Sequence, residues 1–222
     1  MNNMVLITSV INTPQTPLSY TKIRSVFTRE ERFNDTKETI KSIKEKIPNC
    51  KIMIVECSDF SEEENDFFCK KCDFILNLWE RKDIHKNIFG MSKSLGEGTM
   101  TIYALNYIID NKIKYDNLFK ISGRYYLSEN FNYNNFENNN LIFKKIDGNI
   151  NNIFTALYKV PHNYTTILRD FLIKNTNLMY KYIGFEILFG FFLKNINYKD
   201  TIFYDTIGLK GKVTVCGSVY NG

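Results

Sequence analysis

The sequence contains no apolar stretch approaching the roughly 20 residues that cross a bilayer. Its first apolar run, Met4 to Val10, lacks the basic flank and cleavage site of a secretion signal and reads as a buried strand. Dense runs of like charge are also missing. The net charge of +5 comes from Lys and Arg spread along the chain, which argues against a nucleic-acid arm and favours a phosphate-bearing small ligand. Disulfide spacing is absent: Cys50, Cys57, Cys69, Cys72 and Cys216 are odd in number, which predicts free thiols in a reducing compartment. Cys69 and Cys72 form a CxxC, but no second pair or nearby histidine completes a zinc tetrahedron. The two histidines, His85 and His162, fall in polar segments that read as loops, without a partner carboxylate at a telling spacing, so a histidine dyad is not expected. These absences predict a cytoplasmic protein without a membrane span or a nucleic-acid partner.

What is present is enough apolar residue for one core: 222 residues, 44% hydrophobic and 15% aromatic, read as a single domain over 1–222. Met4 to Val10 suits a central strand that delivers Thr8 and Ser9 to an edge, and a long polar loop with Tyr20, Lys22 and Arg24 follows. Thr28-Arg-Glu-Glu31 is a capping box, and Phe33, Ile40, Ile43 and Ile47 then share one helix face until Pro48. Lys51 to Cys57 reads as a second strand, Ser61-Glu-Glu-Glu64 as a second capping box opening a helix through Cys69, and Asp73 to Leu78 as a third strand. The spacing predicts a helix over Gly98 to Asn111, with Met100, Tyr103, Ala104, Ile108 and Ile109 inward, and a fourth strand over Asn117 to Ser122. The Asn-rich segment 130–140 reads as a surface loop. Strands over 141–145 and 153–160, helices over 161–174 and 182–193, and strands over 201–204 and 212–216 complete the chain. This alternation predicts an α/β architecture, an open and mostly parallel sheet with helices on both faces.

Ligands of such sheets bind beyond the carboxyl ends of the strands. Four features land there. Thr8-Ser9 with its loop and Glu56-Cys57-Ser58 could each meet a base or ribose, or be ordinary polar strand ends. Ser92-Lys-Ser-Leu-Gly-Glu-Gly-Thr99 reads as a small-residue loop before a helix, where Gly96 and Gly98 let amides approach a phosphate beside Lys93; turn chemistry alone is the alternative. It is not a Walker loop, because the GxxxxGK[ST] order is missing. Phe119 to Leu127 presents Arg124 at a strand end with Ser122, Gly123 and Tyr125, suited to phosphate and sugar, unless Arg124 pairs with a neighbour such as Glu97. Glu186 stands alone in the apolar run Tyr182 to Leu193. It must be paired, protonated or at the edge of a site, which suits a catalytic base or a salt-bridged structural glutamate.

The order TSVI, FTREERF, KIPNCKIMIVECS, KSLGEG and FKISGRYYL, followed more loosely by YIGFEILFG and LKGKVTVCG, resembles a family of small GT-A-type glycosyltransferases. That family includes the N-terminal glycosyltransferase domain of large algal DNA viruses, the chloroviruses. The resemblance implies transfer of a sugar from a nucleoside diphosphate sugar, a UDP-sugar such as UDP-glucose or UDP-rhamnose, to a glycan or glycoprotein acceptor, in viral capsid or surface glycan synthesis in a host cytoplasm. It places Thr8, Ser9 and the loop through Arg24 at the nucleotide, and Glu56 and Ser58 at the base or ribose. Lys93, Gly96, Glu97, Gly98, Ser122, Gly123, Arg124 and Tyr125 would lie around the diphosphate and donor sugar, with Glu186 at the acceptor. The family's metal-holding Asp-x-Asp is replaced here by Ser122-Gly-Arg-Tyr125, which leaves open whether Mn²⁺ or Mg²⁺ is held by other carboxylates such as Glu97 or whether Arg124 and Lys93 neutralise the charge. A nucleotidyltransferase and a non-catalytic sugar-binding domain remain the alternatives.

Overall fold

The first apolar run forms β1 (Asn3–Thr8), buried at every residue. In the computed structural model, which describes residues 1–222 throughout, its side chains alternate between two cores: Met4 and Leu6 enter one, Val5 and Ile7 the other. A strand covered on both faces must be apolar at every position, hence the unbroken run. Both capping boxes form. Thr28 accepts from the Glu31 amide while the Glu31 carboxylate receives the Thr28 amide at 2.8 Å, opening α1 (Arg29–Lys46). After β2 (Cys50–Glu56), Ser61 and Glu64 do the same for α2 (Glu62–Lys71). Phe33, Ile40, Ile43 and Ile47 are all buried, each contributing about 1.5–3 kcal/mol.

The chain continues through β3 (Phe74–Asn77), α3 (Lys82–Ile88), α4 (Lys93–Asp110), β4 (Asn117–Ser122) and β5 (Tyr125–Leu127). The hairpin β6 (Leu141–Ile146) and β7 (Asn149–Pro161) precedes α5 (Thr165–Lys174), α6 (Thr176–Tyr180) and α7 (Phe185–Asn195). Three short strands follow: β8 (Thr201–Phe203), β9 (Leu209–Lys212) and β10 (Val219–Asn221). The main sheet runs β3-β2-β1-β4-β7-β6-β8, with only β7 reversed. Thr8 lies level with Val55 on one side and Ser122 on the other, so the carboxyl ends of β1, β2 and β4 share one edge. A small antiparallel sheet, β10-β9-β5, stands beside it. The backbone from Gly123 to Leu127 is held by a row of hydroxyls on α1. Thr36 Oγ1 donates to the Gly123 carbonyl at 2.8 Å, Thr39 Oγ1 donates to the Tyr125 carbonyl at 2.7 Å, and Ser42 Oγ accepts the Leu127 amide at 3.0 Å. No helix is long and apolar enough to cross a membrane, and all five cysteines are free.

Several local expectations change. The KSLGEG segment is not a loop but the opening of α4, with Ser92 as N-cap accepting the Leu95 amide. Its glycines serve close packing within the helix: a Cβ on Gly96 would stand 2.9 Å from the Ile88 carbonyl oxygen, and one on Gly98 would strike Met179 Sδ. His85 is helical, in α3, with its ring 5.1 Å from that of Trp79, and His162 packs edge-on against Tyr115. The apolar segment 182–193 starts its helix only at Phe185. The final stretch divides into β9 and β10, because the 213–218 turn needs Gly217 at φ +71°.

Candidate functional site at the strand ends

The carboxyl ends of β1 and β4 and one face of α4 enclose a cleft. Helical spacing brings Lys93, Gly96, Glu97 and Met100 onto that face. Thr8, Ser9, Ser122, Gly123 and Arg124 come from the strand ends, and Arg24 and Leu18 from the loop after β1. Arg32 enters from α1, while Thr214 and Val215 of the C-terminal turn form the roof, tied down by the Val26 amide to the Thr214 carbonyl at 2.9 Å. Ser9 Oγ lies 3.2 Å from Thr36 Oγ1, and a Cβ on Gly123 would come within 2.9 Å of Ser9 Cβ, so only glycine fits beneath Arg124.

The cleft is cationic. Arg24, Arg32, Lys93 and Arg124 line it and form no ion pair. Backbone carbonyls fix the guanidiniums instead: Arg24 Nε donates to Thr16 at 2.8 Å, Arg32 Nε to Val10 at 2.7 Å, and Arg124 Nη1 to Lys212 at 3.0 Å. Burial pushes all three below the ordinary arginine value, Arg32 to about 9 with Arg124's charge adding to the effect. The one carboxylate in the cleft, Glu97, pairs with the wholly buried Lys120 of β4. Lys120 Nζ also donates to Ser122 Oγ and to the Thr155 carbonyl, each at 3.0 Å. Burial opposes ionisation of Glu97, but Lys120, Lys93 and Arg124 outweigh it and hold its carboxyl below the ordinary value.

Lys93 and Glu97 also face a second chamber with Tyr20, Ser92, Ser94, Tyr182 and Glu186. Glu186 is half-buried in the first turn of α7, forms no ion pair, and lies 3.5 Å from the Thr155 hydroxyl.

Nine expected residues therefore share the first cleft: Thr8, Ser9, Arg24, Lys93, Gly96, Glu97, Ser122, Gly123 and Arg124. Glu186 lies in the adjoining chamber. Four stand outside both. Glu56 is fully buried, its Oε1 accepting from the Ile11 and Cys57 amides and the Ser58 hydroxyl, with burial raising its pKa. Ser58 is buried with it and accepts the Asn12 amide, so this pair braces the loop after β1. Gly98 faces Met179, and Tyr125 packs edge-on against Phe154 and Tyr220. Sequence reading missed Arg32, one charged residue among many in the α1 segment. It also missed Lys120, although a lysine inside the apolar strand Asn117 to Ser122 was a usable signal. Glu97 pairs with Lys120, not with Arg124.

No three histidine, cysteine, aspartate or glutamate side chains cluster closely enough to hold a metal ion. Where the resemblance would put an Asp-x-Asp, after β4, stand Ser122, Gly123 and Arg124. The residues present do not fit a diphosphate-bridging metal.

No protein-family model matches the chain, and no curated protein matches it in sequence. Solved structures match it in fold. Core-mannan synthase A from Aspergillus fumigatus, in its Mn/GDP form, superposes with TM-score 0.57 at 10% identity over 94% of this chain and 74% of that one. A glycosyltransferase involved in glycosylation of the major capsid of PBCV-1 gives 0.51 at 10% identity, covering 92% and 82%. The CTP:phosphocholine cytidylyltransferase of Streptococcus pneumoniae gives 0.50 at 12% identity, covering 95% and 93%. With its strand order, helices on both faces and cleft at the strand ends, the chain has the GT-A-like fold of nucleotide-diphospho-sugar transferases.

Proposed function

We propose that the protein is a glycosyltransferase that moves a sugar from a nucleoside diphosphate sugar, with a UDP-sugar as the expected donor, to a glycan acceptor. The observation that carries this reading is the pair of adjoining chambers at the strand ends. One is lined by unpaired cations, the other holds a half-buried carboxylate with no cation partner, and both share Lys93 and Glu97. Cations that receive a diphosphate also stabilise it as it departs, because the leaving group gains negative charge as the glycosidic bond breaks. Thr8, Ser9 and Arg24 suit the nucleotide, and Lys93 and Arg124 the diphosphate. Glu186 takes the proton of the acceptor hydroxyl as its oxygen attacks the anomeric carbon and the diphosphate leaves with the bonding electron pair.

The PBCV-1 neighbour supports a setting in viral capsid glycosylation; surface glycan synthesis in a host cytoplasm is the wider expectation. The cytidylyltransferase neighbour favours nucleotidyl transfer as the second reading, on the same sheet and strand-end edge. Incubation with UDP-, GDP-, CDP- and TDP-sugars and oligosaccharide acceptors, following nucleoside diphosphate release, separates the two. Release of one nucleoside diphosphate together with a lengthened acceptor supports sugar transfer. Pyrophosphate release from a nucleoside triphosphate and a sugar phosphate supports nucleotidyl transfer. Glu186→Gln should abolish sugar transfer while leaving donor binding intact.

A further inference from the structure

The disagreement between the fold's usual metal chemistry and this cleft has its own consequence, which rests on the nucleotide-sugar reading above. A divalent ion bridging a diphosphate is ordinarily held by one or two protein carboxylates besides the phosphate oxygens and water. Here Ser122 Oγ accepts a hydrogen bond from Lys120, Gly123 offers no side chain, and Arg124 is itself a cation. Glu97 is engaged by Lys120, and the charges of Lys93 and Arg124 also act on it. A metal in this cleft would face the repulsion of those cations with Glu97, already neutralised, as its one carboxylate, since Glu186 lies in the adjoining chamber.

The same cations form a site for the ligand the metal would otherwise carry. Arg24 is held by the Thr16, Phe89 and Gly90 carbonyls, Arg32 by the Val10 carbonyl and Ser25 Oγ, and Arg124 by the Lys212 carbonyl, which leaves Nη1 of Arg24, Nη2 of Arg32, and Nε and Nη2 of Arg124 without a protein acceptor and none of the three with a counter-charge. Gathering unpaired cations in a partly buried cleft is unfavourable until an anion arrives. A diphosphate matches both the charge and the fork geometry.

We infer that the donor's diphosphate is neutralised by Lys93 and Arg124, with Arg24 and Arg32 adding to the field, and not by a divalent metal, while Glu97 is the counter-charge of Lys120. Calorimetric titration with UDP and with GDP, in excess EDTA and again with Mn²⁺, tests this. The expected result is a nucleoside diphosphate Kd in EDTA within about threefold of that in Mn²⁺, with the unphosphorylated nucleosides binding far more weakly. In EDTA, Lys93→Ala and Arg124→Ala should each weaken binding by roughly 10- to 100-fold. Glu97→Gln, which removes a negative charge beside the phosphates, should tighten it by about five- to tenfold. If Glu97→Gln does not fold, Lys93→Ala decides the matter alone, because its side chain is exposed. Binding that requires Mn²⁺ would overturn the metal-free site and leave the nucleotide-sugar reading standing. Binding of neither nucleotide under either condition would overturn both.

Discussion

Lys120→Met tests the centre of the site from the side of stability. The side chain is wholly buried in the middle strand, and its ammonium serves Glu97, Ser122 Oγ and the Thr155 carbonyl together. Methionine keeps the length and removes the charge, leaving a largely buried carboxylate without its partner. Breaking one side of a buried pair costs about 3–5 kcal/mol. At about 2–4 °C per kcal/mol for a chain of this size, Tm should fall by roughly 6–20 °C. Urea denaturation should show a lower midpoint at unchanged slope. The double variant Lys120→Met with Glu97→Leu should recover most of the loss, since an apolar pair of similar volume replaces a buried ion pair at little cost. The pH dependence carries a defined sign. The Glu97 pKa is depressed below its ordinary value of 4.5, so its contribution is complete above about pH 4.5 and is lost as pH falls through the lower folded-state pKa. The gap between the wild type and Lys120→Met should therefore close on acidification below pH 4.5. A single-variant loss under about 1 kcal/mol, or a gap that ignores pH, would refute the ion-pair account.

Other perturbations separate packing from binding. Arg124→Ala removes one hydrogen bond from the protein, to the Lys212 carbonyl, so its Tm should drop by only a few degrees while the thermal shift induced by a nucleoside diphosphate shrinks. Gly96→Ala should destabilise even though alanine is the better helix former, because its Cβ meets the Ile88 carbonyl oxygen at 2.9 Å. About 1–3 kcal/mol of overpacking exceeds the propensity gain of about 1 kcal/mol, as calorimetry can check. Lys159 donates to the Phe136 and Asn138 carbonyls from a buried position, and burial pushes its pKa from 10.5 down to about 8. The unfolded chain binds more protons between those values, so stability relative to Lys159→Met should rise from about pH 8 towards pH 10; a fall over that range would contradict the burial.

The parts of the fold legible in the sequence are those whose cause is local. The capping boxes at Thr28 and Ser61 were visible because cap and partner lie three residues apart, and β1 because burial on both faces leaves an uninterrupted apolar run. The opening of α4 was not legible. Two glycines among serines look like a turn, and the reason they are helical, the approach of Ile88 and Met179, comes from elsewhere in the chain. Within the site, Thr8, Ser9, Ser122, Gly123 and Arg124 meet in one cleft because strand ends are found by length and register, while Lys93, Gly96 and Glu97 reach it from a helix face that reads as a loop in the sequence. Arg32 and Lys120 escaped because their roles depend on what packs opposite. The difference between a solvated charge and a buried one lies in partners such as the Val10 carbonyl and Glu97.

Thr8 and Thr214 bound the same cleft from nearly opposite ends of the chain. The strands, α1 and α4 build the two cores, whereas Thr214 and Val215 only roof the cleft. The turn at 213–218 therefore serves recognition more than it serves the packing of the sheet. A chain shortened before Val213 should remain folded yet bind its nucleotide poorly, which separates the right to be stable from the capacity to act.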